Sequence, residues 1–285
     1  MQDEHASSPE GALTIDEAIR TLRADPASAE LVRDAYLGRD VAESIERFSR
    51  SAEFAEAVGL IGGPLVGATI VDLGAGIGLA AASFHRLGAG RVIAIEPDDS
   101  DEVGRGAMRR AGIDVEIVDA VGESLPIPSD SVDVVYARQV LHHAQDLDRL
   151  VSEVARVLRR GGRFLACREH VVSGDLQLKQ FLAAHPVHLL AGGEHAWPLR
   201  RYVDAIRRSG LRLDTVIGPW DSIINAYPDV RSTAELRTLA RDRLISRFGP
   251  AGAIAARLPG VEALVRRRAT GRTPGRLYSF VATRP

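Results

Sequence analysis

Three acids that each close a short apolar run, and a crowd of histidines, are the residues able to do chemistry in this 285-residue chain. Asp72 stands in TIVDLGAGIG, Glu96 in VIAIEPD and Asp119 in VEIVDA. Gly74, Gly76 and Gly78 follow the first acid. A glycine turn ahead of a helix leaves backbone N–H groups open and lets a ligand approach closely. Six of the eight histidines lie between positions 142 and 195: His142, His143, His170, His185, His188 and His195. Imidazole titrates near neutral pH, so these side chains accept protons, hold metals, or cap and pack.

The glycine turn suits two kinds of ligand. A dinucleotide places its pyrophosphate on such a turn and calls for G-x-G-x-x-G. Counted from Gly74, the third glycine should stand at 79, where the chain has Leu79, and Asp72 would repel a pyrophosphate. An NAD-type oxidoreductase would accept Glu96 but not that spacing. The other ligand is S-adenosylmethionine, whose ammonium and positive sulfur a carboxylate can hold. At VDLGAGIG the chain resembles the class I S-adenosylmethionine-dependent methyltransferases, of the methyltransferase type 11-like, small-molecule subgroup, over roughly residues 65–170.

That resemblance rests on several motifs in order. Besides VDLGAGIG they are VIAIEPD, VDAVGESLPIPSDSVDVVYAR, RQVLHHAQD and VLRRGGRFL. It implies that Asp72, Gly74 and Gly76 receive the methionine portion, and that Glu96, with Pro97 beside it, accepts both ribose hydroxyls. Asp119 would meet the adenine amino group and Ala120 would offer its backbone. Arg138, at the end of the fourth strand, is counted with the cofactor residues. In the N-terminal part, YLGRDVAESIERFSRSAEF is similar to the cap helix of small-molecule members, so Tyr36, Arg47 and Phe48 would close over the cofactor. Arg47 either pairs with the methionine carboxylate or sits on a solvated helix face.

Methyl transfer needs alignment of nucleophile, methyl and sulfur, and a base when the nucleophile carries a proton. His143, Glu169, His170 and His195 are the catalytic candidates, on the loops after the fourth and fifth strands and in the following insertion. Glu169, His170, His185, His188 and His195 either line a polar acceptor pocket, bind a divalent metal that orients a substrate oxygen, or serve as caps and core. No metal ligand is assigned. His185 and His188 share one helical face if Pro186 permits a helix. Trp197 and Tyr202 read as lid packing, and Cys167 as a small buried strand residue. REHVVSGDLQLKQFLAAHPVHLLAGGEHAWP is similar to a bacterial methyltransferase subgroup often associated with polysaccharide or natural-product pathways, which implies a small polar acceptor. Attack on another carbon of the sulfonium, in a transferase or cyclisation reaction, and a catalytically silent nucleotide-binding module stay open.

The elements that must position these residues follow from periodicity. Residues 1–62 read as a helical N-terminal cap, with a capping box at Thr14 and Glu17. Residues 63–170 alternate strands and helices, which implies an α/β, Rossmann-like, open seven-stranded, mostly parallel sheet with helices on both faces. Ligands of such sheets bind beyond the carboxyl ends of the strands. Residues 171–285 carry helical lid insertions, a helix across 199–210, a helical section to about Arg268, and GRLYSFVATRP as a closing edge strand.

Composition narrows the rest. Apolar residues make up 45% and the formal net charge is −2, so a sizeable core is expected and general nucleic-acid binding is not. The run Arg266-Arg267-Arg268 reads as a solvated helix face. One cysteine excludes an internal disulfide framework. The polar start MQDEHASSPEG, expected to fray, has no apolar signal core, and no stretch reaches the roughly 18–20 apolar residues of a membrane span. The expectation is a cytoplasmic enzyme with a small-molecule acceptor, no nucleic-acid or membrane partner, and room for a homodimer.

Overall fold

The computed structural model describes residues 12–258, 260–261 and 273–285. The extreme N-terminus and the Arg266–Arg268 run lie outside the described residues. The apolar runs of the middle segment are the strands β1 (Thr69–Leu73), β2 (Arg91–Ile95), β3 (Glu116–Val118), β4 (Val132–Arg138) and β5 (Leu158–Val172). They continue in β6 (Trp197–Pro198), β7 (Arg212–Ile217) and β8 (Arg276–Thr283). The order across the sheet is β3-β2-β1-β4-β5-β8-β7, with the two-residue β6 paired to β5. β8 runs antiparallel to β5 and β7, and the pairings among β1 to β5 are parallel. This is the expected open α/β sheet.

The closing strand does not lie at the edge. β8 is inserted between β5 and β7, and β7 is the edge strand. Phe280 and Ala282 enter the core on one face of the sheet, and Val281 enters the core on the other. An apolar run buried on both faces belongs inside a sheet, whereas β7 leaves Asp214, Thr215 and Val216 exposed.

The N-terminal helices α1 (Ile15–Ala24), α2 (Ala29–Asp34), α3 (Val41–Ser49) and α4 (Ala52–Ile61) precede the sheet. Thr14 and Glu17 form the capping box, with Thr14 N–H donating to Glu17 Oε2 at 2.9 Å. A row of aromatic rings runs from this section into the sheet. Tyr36, Phe48, Phe54, Phe84 and Tyr136 follow one another at centroid separations of 5.4, 5.2, 5.2 and 5.4 Å. Edge-to-face pairs at such spacing add to the gain from burial. The row ties α3 and α4 to β4 through α5 (Leu79–Arg86).

On the other side of β4, α7 (Leu147–Val157) buries Leu147, Leu150, Val151, Val154 and Val157, one apolar stripe at three- and four-residue spacing. Between β2 and β3 the described helix is the short α6 (Arg105–Arg110). The insertion after β5 contains α8 (Asp175–Leu182) and α9 (Pro186–Ala191). Pro186 occupies the first helical position, where its missing N–H costs nothing. Leu13 N–H donates to Leu190 O at 2.9 Å, which brings the start of α1 onto α9. Helix α10 (Leu199–Arg208) leads into β7. Beyond it come α11 (Ile223–Ala226) and α12 (Thr233–Ala255), which kinks at Gly249 and Pro250. No described helix is long and apolar enough to cross a membrane.

Candidate functional site

The turn after β1 is built by glycine for two different reasons. Gly74 has φ +64, and a Cβ there would meet Val140 Cγ2 at 2.5 Å. Gly78 has φ +80, and a Cβ there would meet Ile113 Cδ1 at 2.7 Å and Met108 at 3.0 Å. The space beside Gly78 is therefore filled by protein side chains. Gly78 is also the residue ahead of α5.

Asp72 is 2% exposed and takes the N–H of Ala81 at 2.8 Å, so it caps the first turn of α5. Burial pushes its carboxyl up to about 7, and nearby Glu96 adds repulsion. Glu96 bridges two turns: Gly76 N–H donates to Oε2 at 2.7 Å and Asp98 N–H to Oε1 at 2.9 Å. Burial raises its pKa, against the pull of those two donors. A carboxylate oxygen has two lone pairs, so Glu96 keeps acceptor capacity beyond these bonds.

A cleft of about 760 Å³ opens beyond the carboxyl ends of β1 to β4. Its wall includes Gly74, Glu96, Pro97, Ala120 and His143 of the sequence-derived residues. It also includes Val121, Gly122, Glu123, Ser124, Gln139, Val140, Gln145, Asp146 and Arg149, which the motif reading passed over. The signal that could have found them is position alone, since all but Arg149, in the first turn of α7, lie in the loops that follow β3 or β4. Glu123 ties the two loops together by accepting from Gln145 N–H at 2.9 Å and Asp146 N–H at 3.3 Å.

Other expected cofactor residues stand elsewhere. Asp119 is largely exposed and pairs with Arg105 of α6. Tyr36 is buried in the aromatic row, with the Arg47 guanidinium 5.2 Å above its ring. Arg47 donates to the backbone carbonyl of Arg33. Arg138 binds Glu53 of α4 through two nitrogens, at 2.6 and 3.3 Å. Tyr36, Arg47, Asp72, Gly76, Asp119 and Arg138 are thus not in the cleft wall. The first two serve packing, while Asp72 and Gly76 hold the glycine turn. Arg138 and Asp119 are held by ion pairs.

The histidine-rich region is organised by Glu169. A β-bulge in β5 between Ala166 and Glu169, with Arg168 at φ +61, turns the Glu169 side chain inward. Glu169 is fully buried and accepts from Val140 N–H at 3.0 Å, His142 N–H at 3.2 Å and His142 Nδ1 at 2.7 Å. It holds the loop after β4 in place and does not face the cleft. Burial drives the His142 pKa well down, so its ring is neutral.

His170 also turns away from the cleft. Its Nδ1 lies 2.9 Å from Gly275 O, and its ring packs 4.7 Å from Phe181 and 4.8 Å from His142. Burial lowers its pKa to about 3. His195 packs 4.3 Å from Trp197. His185 accepts from His188 N–H at 3.4 Å as the cap of α9. Tyr202 is buried and donates to His170 O at 2.8 Å. Cys167 is buried beside Tyr136, and burial pushes its thiol up to about 12, which removes it as a nucleophile. Of the catalytic candidates, His143 alone is in the cleft wall, with 45% of its side chain exposed.

The sequence and fold match known proteins. Residues 71–166 match the family model of a methyltransferase domain. The chain is 33% identical over 114 residues to the uncharacterized methyltransferase YcgJ of Bacillus subtilis, covering 40% of this chain and 45% of that protein. It is 30% identical over 135 residues to a ubiquinone biosynthesis O-methyltransferase of Methylobacterium, covering 47% of this chain and 54% of the relative. The chain therefore spans about half the length of these curated relatives. Among solved structures, geranyl diphosphate C-methyltransferase of Streptomyces coelicolor superposes with a TM-score of 0.56 at 19% identity. That match covers 99% of this chain and 93% of the other. At that identity the likeness shows the fold.

Proposed function

With residues 71–166 forming a class I S-adenosylmethionine-dependent methyltransferase domain, we propose that the protein methylates a small polar metabolite. The observation that carries this reading is the cleft wall, where Glu96 spans the glycine turn and faces the same space as Ala120 and His143. Its volume of about 760 Å³ falls in the ~300–1,000 Å³ range of small-molecule sites. The bound cofactor supplies a methyl carbon on a positively charged sulfur.

The chain's own residues bind and align. Glu96, with its spare lone pairs, accepts from the ribose hydroxyls, and the backbone at Ala120 meets the adenine edge. Glu169 fixes the loop that carries His143. Positioning of this kind supplies several kcal/mol, roughly 7–11 in well-oriented systems. His143, exposed in the wall, orients the acceptor and can take its proton. A sugar-related or natural-product acceptor fits the polar part of the wall, where Glu123, Ser124, Gln139, His143 and Gln145 stand. The same reading takes residues 1–62 as cap, 63–170 as cofactor core and 171–285 as lid and remaining sheet. It places the enzyme in the cytoplasm, with no nucleic-acid or membrane partner.

Calorimetric titration with S-adenosylhomocysteine tests the cofactor site. Mass spectrometry of a polar metabolite pool incubated with enzyme and S-adenosylmethionine tests the reaction. Products heavier by one CH2 unit support methyl transfer, and a product carrying a larger alkyl group points to attack at another sulfonium carbon. An absence of S-adenosylhomocysteine binding would overturn the reading.

A further inference from the structure

Next to the cleft, three side chains from distant parts of the chain converge without completing a hydrogen-bonded network. His142 and His143 come from the loop after β4, and Glu194 comes from the segment between α9 and β6. Nε2 of His142 and Nε2 of His143 each lie 3.8 Å from Glu194 Oε2. One ligand atom from each of the three residues lies within 4.8 Å of the others. A separation of 3.8 Å is too long for a hydrogen bond. Glu194 Oε2 is buried and has no hydrogen-bond partner. A buried carboxylate oxygen left unpaired is costly, so its persistence between two imidazole nitrogens asks for a partner.

We propose that His142, His143 and Glu194 bind one divalent transition-metal ion of the zinc class. Ligand atoms held about 2.0–2.1 Å from a tetrahedral zinc stand about 3.3 Å apart, so each histidine must move about 0.5 Å closer to Glu194. The two histidine ligand atoms, within 4.8 Å of each other, must close by up to about 1.5 Å, a change side-chain rotation can supply. Two imidazoles and one carboxylate, with further positions left for water or substrate, make a catalytic rather than a closed structural set. Magnesium and calcium prefer all-oxygen surroundings and are poorly matched.

The surroundings fit as well. His142 Nδ1 faces Glu169 Oε2 at 2.7 Å, and Glu169 already accepts backbone N–H groups. Nδ1 therefore carries the hydrogen, and Nε2 presents its lone pair toward Glu194. A carboxylate behind a histidine in this way fixes the tautomer and strengthens a metal bond. His185 Nδ1 lies 3.8 Å from the other carboxylate oxygen, Glu194 Oε1.

His143 is also part of the cleft wall. An ion held there would polarise an acceptor oxygen and lower its pKa. That role rests on the methyltransfer reading, whereas metal binding does not. Once Nε2 of His143 is a ligand, the ion replaces it as the group that activates the acceptor.

The test uses the full chain, freed of metal by chelator, reloaded with excess Zn2+ and dialysed against metal-free buffer. Zn2+ retention is measured by elemental analysis, and Co2+ titration is followed by visible d–d absorption. The expected result is one ion per chain and a band intense enough for four or five ligands. Glu194→Gln and His143→Ala should each weaken binding by about tenfold or more. His85→Ala, on the remote helix α5, should leave it unchanged. Thermal unfolding confirms that each variant folds. Calorimetry with S-adenosylhomocysteine, run in parallel, reports the cofactor site separately. No retained ion in the parent chain, or equal affinity in the parent and both cluster variants, overturns the proposal.

Discussion

Glu53 of α4 and Arg138 at the tip of β4 form a buried two-point ion pair, 85 residues apart in sequence, at 2.6 and 3.3 Å. Arg168 Nε lies 3.8 Å from the same carboxylate. Burial alone would push the Glu53 carboxyl up, but Arg138 and Arg168 outweigh it and hold the pKa below its ordinary value. The pair locks the N-terminal helices onto the strand whose following loop carries His142 and His143.

Removing one partner leaves charge buried without a counterion. Glu53→Gln should therefore cost about 3–5 kcal/mol of stability, read by urea unfolding. Pairing it with Arg138→Met should recover part of the loss. A cost below about 1 kcal/mol would show that the pair is solvated in solution.

Glu96 makes its bonds at the cofactor end of the cleft. Glu96→Ala should weaken S-adenosylhomocysteine binding tenfold or more, about 1.4 kcal/mol. The same calorimetry on Asp119→Ala should give a smaller change, because Asp119 is turned toward Arg105 and stands outside the cleft wall. Unchanged affinity in Glu96→Ala would remove the proposed ribose contact.

Asp72, buried beneath the glycine turn rather than in the cleft wall, should still act through charge on a cationic cofactor bound above that turn. The Asp72 carboxyl is raised to about 7, first by burial. A raised carboxyl contributes stability that is fully present below its ordinary pKa and is lost as pH rises through about 7. A positively charged ligand favours the ionised form. Binding of S-adenosylmethionine should therefore release a proton near pH 7, and affinity should rise between about pH 6 and pH 8. Titrations in buffers of different ionisation enthalpy measure the proton. Asp72→Asn should flatten the dependence, and a flat profile in the parent protein would contradict the assignment.

His143 and His170 should separate kinetically. With an acceptor identified from the metabolite screen, His143→Ala should lower kcat by about a hundredfold and leave S-adenosylhomocysteine affinity intact. His170→Ala should instead act through stability. Its ring packs against Phe181 and His142, away from the cleft, so a thermal shift with near-parent kcat is expected. The reverse pattern would move the acceptor site to the β5 rim.

Gly74 offers a geometric check. Gly74→Ala must hold an alanine at φ +64 and push aside Val140, whose N–H is bound to Glu169. Both cofactor affinity and stability should fall together. Gly63→Ala at a surface turn, where nothing crowds a Cβ, should cost only the backbone term of about 1 kcal/mol.

Local pattern was enough for the order of the elements, the parallel sheet and the motif-bearing turn, because hydrophobic period and glycine placement act over a few residues. It also marked Gly74, Glu96, Pro97, Ala120 and His143, which stand in the cleft wall. Only the tertiary structure decided where long side chains point. Spacing cannot show that a bulge turns Glu169 inward, that Arg138 finds Glu53 on α4, or that Glu194 meets His142 and His143. Nor could the last strand's place be read locally, since its pairing with β5 and β7 depends on distant partners. Contacts between residues 27 to 85 positions apart arise from packing and charge pairing across the folded chain, and those forces act only once the sheet has brought the partners together.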